Sequence, residues 1–170
     1  AAMAAIIALS PERGPTRAAY VHALVRHKAV PYVWGGEGAL GIDCSGLLRR
    51  AWGLACLRDG LLGVSPGRLK SAAIVWFRDV PASGLLAGYD GRLRRIAEAR
   101  LNDLDYSNLP EGAIAVTVDG IHCLGHLGKA AWIQADPWQG RVTIATAPCL
   151  DHQSFTMRCV ILDWTLFSDR

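Results

Sequence analysis

The sequence predicts an α+β domain in which N-terminal helices pack on a mostly antiparallel sheet of about five to six strands. Three observations lead there. Apolar residues near the start recur every three to four positions, the period of a helix with one buried face. From Leu109 onward the runs become short and β-rich, separated by Asp-Gly, Gly-Lys, Gln-Gly and Asp-His turns. Helices followed by sequential strands is the order of an α+β fold. At 170 residues the chain is long enough for one cored domain and short for two, so a single domain over residues 1–170 is expected. Its 51% hydrophobic and 19% charged residues, against roughly 25% charged in ordinary globular chains, argue against disorder.

The opening "AAMAAIIALS" is an apolar run of ten residues, short of the roughly 17–25 needed to cross a bilayer. It reads as a buried segment or, by preference, as the stub of a trimmed export signal. Ala18, Ala19, Val21, Leu24 and Val25 give the first helix, within 15–29 and flanked by Pro15 and Pro31. The glycine-rich "WGGEGALG" (34–41) follows as a loop, then a helix over 43–55 with Leu47, Leu48, Ala51, Trp52 and Ala55 on one face. Asp43 is its N-cap, which puts Cys44 at the first helical position. Two more helices are expected around 66–77 and 92–101, making 57–108 a long helical insertion. Strands are expected at 113–118, 121–127, 131–135, 141–147 and 155–164.

The net charge of +3 is mild, and the densest basic run, "RLRRIAEAR" (92–100), pairs Arg94 with Glu98 at i, i+4. That is a solvated helix face; no nucleic-acid partner is expected. No other window has membrane-spanning length. Cysteines 44, 56, 123, 149 and 159 contain no C-x-x-C pair, so no structural metal is expected, and Cys123 and Cys159 read as small buried residues within strands. "GVSPG" (63–67) fits a nucleophile elbow on paper, but Pro66 has no N–H to give an oxyanion hole.

Cys44 carries the chemistry. The N–H groups and dipole of a helix N-terminus favour thiolate over a reference thiol pKa of about 8.5. Nucleophilic catalysis also needs a base and a group to orient it. His122 and His126 share one strand face with Leu124, roughly 13 Å apart at about 3.3 Å per residue, too far for a shared metal. A hairpin centred on Gly128 places Gln134 directly across from His122, where its amide oxygen orients the imidazole; His126 would face Ala130, which orients nothing. Cys44, His122 and Gln134 are thus candidates for a Cys-His-polar triad. The alternatives are a packing cysteine and a satisfied strand histidine. His22, His27 and His152 are read as surface or core polar groups, and Trp132 and Trp138 as core or turn residues that would otherwise line a cleft.

"PYVWGG", "GIDCSGL" at a helix start, "HCLGHLG" and "WIQA" on the next strand together resemble the NlpC-type bacterial cell-wall cysteine peptidases, a papain-like family, over roughly residues 18–56 and 109–165. The resemblance implies Cys44 as nucleophile, His122 as base, Gln134 as third polar residue and Tyr32 as the tyrosine that positions or stabilises the reacting carbonyl. Asp43 and Ser45 match residues that contact the stem peptide. It further implies an exported enzyme of the periplasm or cell envelope, without metal or cofactor, that hydrolyses D-glutamyl to diamino acid bonds in peptidoglycan peptides. Acyl transfer and a non-catalytic envelope-binding domain are the other readings. The chain departs from the family at Ala113, where an aspartate is usual, and in the segment 57–108, expected to wall the cleft.

Overall fold

The computed structural model describes residues 2–169. The first half supplies α1 (Ala2–Leu9), α2 (Arg17–Val25), a small hairpin of β1 (Glu37–Gly38) and β2 (Gly41–Ile42), then α3 (Cys44–Leu62), α4 (Pro66–Phe77) and α5 (Ala82–Leu86). The second half supplies β3 (Leu93–Arg100), β4 (Ile114–Thr117), β5 (Cys123–Gly128), β6 (Ala131–Asp136), β7 (Arg141–Thr146), the one-turn α6 (Gln153–Thr156) and β8 (Arg158–Trp164). Among the described residues the larger sheet has six strands in the order β3-β8-β4-β5-β6-β7, antiparallel throughout. The α+β class expected from the sequence is the one observed.

The sheet is built against α3. Asp43 caps that helix by accepting from Gly46 N at 2.6 Å, which satisfies one of the N–H groups its first turn cannot pair internally. Leu47, Leu48, Ala51, Trp52 and Cys56 follow at helical spacing and are fully buried. The helix runs past the expected end at 55, and Asp59 ties its last turns to Thr16, accepting from the backbone N at 2.9 Å and from Oγ1 at 3.0 Å. Ser65, the serine of the false elbow, is the N-cap position of α4, with Pro66 opening the helix.

Two cores flank the sheet. On the helix side Trp52 and Trp164 stack with centroids 4.0 Å apart, and Tyr20 and Phe167 close against Trp52. On the other side Leu124, Trp132, Phe155 and Ile161 form a second cluster. Central strands β4 and β8 are therefore buried on both faces, which is why their sequences read as nearly continuous apolar runs.

The expected helix at 92–101 is instead β3, an edge strand paired with β8. Arg94 reaches Asp163, its partner across the ladder, at 3.2 Å, while Glu98 binds Arg95 and Arg158 rather than Arg94. Exposed charges protect a sheet edge from further pairing. They look the same on a solvated helix. The segment 57–108 is thus only partly helical, and none of it lines the cleft described below. Instead α4 packs on α3, and α5 backs the β4–β5 turn, where a Cβ on Gly120 would stand 3.1 Å from Ser83. The opening run forms α1, which packs on α4 with no buried residue of its own. Residues 153–156, partly expected as strand, form α6.

Candidate active site

His122 stands between the β4–β5 turn and β5, and the turn fixes it. Asp119 Oδ1 accepts from Thr117 Oγ1 at 2.5 Å and Ile121 N at 3.0 Å, and Thr117 Oγ1 in turn accepts from His122 N at 3.0 Å. The imidazole Nε2 donates to Gln134 Oε1 at 2.8 Å. An amide oxygen only accepts, so the proton sits on Nε2 and Nδ1 is left without one; Cys44 lies beside this ring, its sulfur 3.9 Å from the neighbouring Ile121 carbonyl oxygen, and the ring lowers its pKa. The structure therefore brings Cys44, His122 and Gln134 together.

The contact is made on a different register from the one expected. Gly125 pairs with Ile133 and His126 with Trp132, so Gln134 falls across from Leu124 rather than from His122. The slip is two residues. Because strand side chains alternate with period two, both residues keep the same face, and a long amide bridges the diagonal. His126, expected opposite Ala130, is buried with its ring nitrogens on the Pro110 and Lys129 carbonyls at 2.9 Å each and its ring 4.9 Å from Trp132; it is structural.

Cys44 opens α3 and is 8% exposed. Its pKa is lowered to about 5. A thiol hydrogen bond from Cys123 is the largest cause; burial opposes it, and the hydrogen bond and charge of His122 add to the lowering. Burial pulls His122 down, but its hydrogen bond and Coulomb attraction to Cys44, the Gln134 oxygen and the Asp136 charge outweigh burial, and the net direction is up. Cys123 is pushed well up, first by burial and then by the thiolate beside it. Sulfur and imidazole are matched as a thiolate–imidazolium pair.

These groups open onto a cleft of about 470 Å³ lined by Tyr32, Trp34, Ile121, Trp138 and Met157 as well as by Cys44, His122 and Gln134. Tyr32 is held there by its backbone N on Gly140 O at 2.8 Å and by bridge pairing with Ile42. Its phenol is raised by burial and by the charges of Cys44 and Asp43. Asp43 and Ser45 do not line the cleft; the Ser45 hydroxyl donates to Asp43 Oδ1 at 3.0 Å, and Asp43 Oδ2 accepts from Gly35 N at 3.0 Å. Their polar atoms build the cap and dock the glycine-rich loop on the helix start.

Trp132 lies in the second core, whereas Trp138 is 83% exposed at the cleft rim. Sequence reasoning read Cys123 only as a small buried residue and His152 only as a surface or core polar group, and it passed over Asp136 and Ser154. Cys123 follows His122 on the face toward α3, and alternation along the strand was the signal for it. His152 and Ser154 arrive only through the return of α6 over β6. Among the described residues all five cysteines are free, no group of three or more His, Cys, Asp and Glu is placed to hold a metal ion, and no helix is long and apolar enough to cross a membrane.

A cysteine at a helix N-terminus, packed on an antiparallel sheet that carries the histidine, defines the papain-like class. No protein-family model and no curated protein matches the sequence. The fold is similar to that of an NlpC/P60 family protein from Bacillus cereus ATCC 10987, with TM-score 0.58 and 14% identity over 90% of this chain and 41% of that one. It is also similar to the P60 domain of an antigen from M. avium subspecies paratuberculosis, with TM-score 0.50 and 16% identity over 85% of this chain and 92% of that one. The chain thus has the NlpC/P60 fold, and it spans less than half the length of the first of these structures.

Proposed function

We propose that the protein is a cysteine hydrolase of the bacterial cell envelope that cleaves an amide bond in peptidoglycan stem peptides, of the D-glutamyl to diamino acid type. The observation that carries the reading is the 2.8 Å bond from His122 Nε2 to Gln134 Oε1, made by a ring that acidifies the neighbouring thiol at a helix start. The substrate class rests on the resemblance of the motifs around Tyr32, Cys44, His122 and Gln134 to the NlpC-type peptidases.

In this mechanism the Cys44 thiolate attacks the amide carbon. The displaced electron pair moves onto the carbonyl oxygen, held by the Cys44 backbone N–H and the Tyr32 hydroxyl, an interaction class in which one donor is worth roughly a hundredfold to a thousandfold in rate. Collapse expels the amine, which takes the proton from His122 Nδ1 and leaves a thioester on Cys44. Neutral Nδ1 then removes a proton from water as the water attacks the thioester. The acid leaves, and the thiolate–imidazolium pair is restored. Gln134 keeps the imidazole aligned through both steps.

Mass spectrometry of a peptidoglycan digest tests the reading: the native protein is expected to release peptides cut after D-glutamate, and its Cys44→Ala form none. Equal digestion by both would overturn it. The apolar rim of Trp34, Ile121, Trp138 and Met157 favours a second reading, transfer of an apolar acyl group to an amine, which added amine acceptors would reveal as new amide products.

A further inference from the structure

Gln134 has an oxygen end and a nitrogen end of nearly the same shape, and only the oxygen end can serve His122. The oxygen also accepts from the buried Ser154 hydroxyl at 3.1 Å. The nitrogen end points at His152 Nδ1, 3.3 Å away. That contact is a hydrogen bond only when Nδ1 carries its lone pair and the ring hydrogen sits on Nε2; the Gln139 amide nitrogen stands 3.1 Å from Nε2, so this tautomer requires the exposed Gln139 to turn its amide and present the oxygen there. The other neighbour of Nδ1 is Asp136 Oδ2 at 3.5 Å, which makes no hydrogen bond; Asp136 Oδ1 accepts from the backbone N–H of Trp138 and Gln139. A hydrogen on Nδ1 would be attracted by that carboxylate, which lies beyond hydrogen-bond length, but it would set two N–H groups against each other at the closer Gln134 contact.

We propose that His152 is a positioning residue for the thiol site: its Nδ1 accepts from Gln134 Nε2 and so locks the amide with its oxygen toward His122. The proposal rests on the hydrolase reading only for its meaning, because its geometry concerns side chains around Gln134 and no substrate. It assigns α6 and the segment before it a task, which is to fix the end-for-end orientation of a side chain on β6. A carboxylate at position 134 would need no such lock, since both of its oxygens accept. A carboxamide does.

The test reads Cys44 alkylation by iodoacetamide across pH 5–9, with folding checked by thermal melting. His152→Ala is expected to slow alkylation at pH 5 by roughly fivefold, the weight of one lost hydrogen bond on a thiol that titrates near that pH, and to leave the rate at pH 9 unchanged. His152→Asn, whose Oδ1 can stand where Nδ1 stands, is expected to restore the rate to within about twofold. In a Gln134→Glu background His152→Ala is expected to have no further effect, a readout that survives if the single variant is poorly folded. Unchanged alkylation in folded His152→Ala, failure of His152→Asn to rescue, or an undiminished loss in the Gln134→Glu background would each overturn the proposal. Slow alkylation of the native protein at pH 6 would instead sink the thiolate reading itself, so the two failures are told apart.

Discussion

Cys123, one residue past His122 on β5, lies beside the Cys44 sulfur, and a hydrogen bond from its thiol to the thiolate is the largest influence lowering the Cys44 pKa. Both sulfurs are buried, so the bond acts where water does not compete. The thiol on α3 is therefore held ionised from two sides, by the imidazole of residue 122 and by the thiol of residue 123.

Cys123→Ala should slow iodoacetamide alkylation of Cys44 by about twofold at pH 6 and roughly tenfold at pH 4.5, because a hydrogen bond to a charged group is worth about 1.5 kcal/mol, about one pH unit on a thiol that titrates near 5. Cys123→Ser keeps a donor in place and should alkylate like the native protein. Equal rates for Ala and Ser would show that the side chain at 123 does not set the ionisation of Cys44.

The pH profile follows from the two directions of shift. Cys44 is lowered to about 5, so activity is expected to fall only as the pH drops through about 5 and the thiolate takes a proton, far below the range of an ordinary thiol. His122 is raised, so the proton destined for the leaving amine is lost on the alkaline side, above the ordinary imidazole value. The two limbs belong to the coupled pair. Since the Gln134 bond is one of the contacts that raise His122, Gln134→Ala should move the alkaline limb of kcat/KM to lower pH. A limb that stays in place would break the link between residues 134 and 122.

Asp43 acts on helix and thiol with opposite signs. Its carboxylate caps α3 and holds Gly35, yet its charge raises the Cys44 pKa. Asp43→Ala should cost about 1 kcal/mol of stability through the lost cap, read by denaturant unfolding, while making Cys44 more acidic. Asp43→Asn retains a capping oxygen, so it should lose less stability and show the same acidification. A rise in the Cys44 pKa in either variant would contradict this division of roles.

What was legible in the sequence was local. The cap at Asp43, the Leu47, Leu48, Ala51, Trp52 stripe and the turn signals after Leu109 each lie within a few residues of the structure they specify, and α3, β4, β5, β6 and β7 follow from them. The Gln134 contact with His122 was reached through a register wrong by two, because parity alone chooses the face. β3 was misread because pairing with β8, about 65 residues away, decides its conformation, and nothing local to Arg94 or Glu98 reports that. His152 reads as no more than a surface or core polar group for the same reason: it reaches Gln134 through a chain return that leaves no periodic signal.

Gly46 tests how closely the loop must seat against the helix. It lies in the first turn of α3, where alanine ordinarily favours a helix over glycine by about 1 kcal/mol. Here a Cβ would stand 2.6 Å from the Gly36 carbonyl oxygen and 3.1 Å from Asp43 Oδ1, so the added methyl meets backbone that cannot turn aside. Relief requires the glycine-rich loop to lift away, which strips Gly35 from Asp43 and displaces Tyr32 and Trp34 at the cleft wall. Gly46→Ala should therefore destabilise by about 1–3 kcal/mol, the range for overpacking, against its own helix propensity. Activity should fall mainly through Tyr32 while the Cys44 alkylation profile changes little. A variant as stable as the native protein, or more so, would show that the loop yields freely and that the close approach of Gly36 to the head of α3 does not hold the cleft wall.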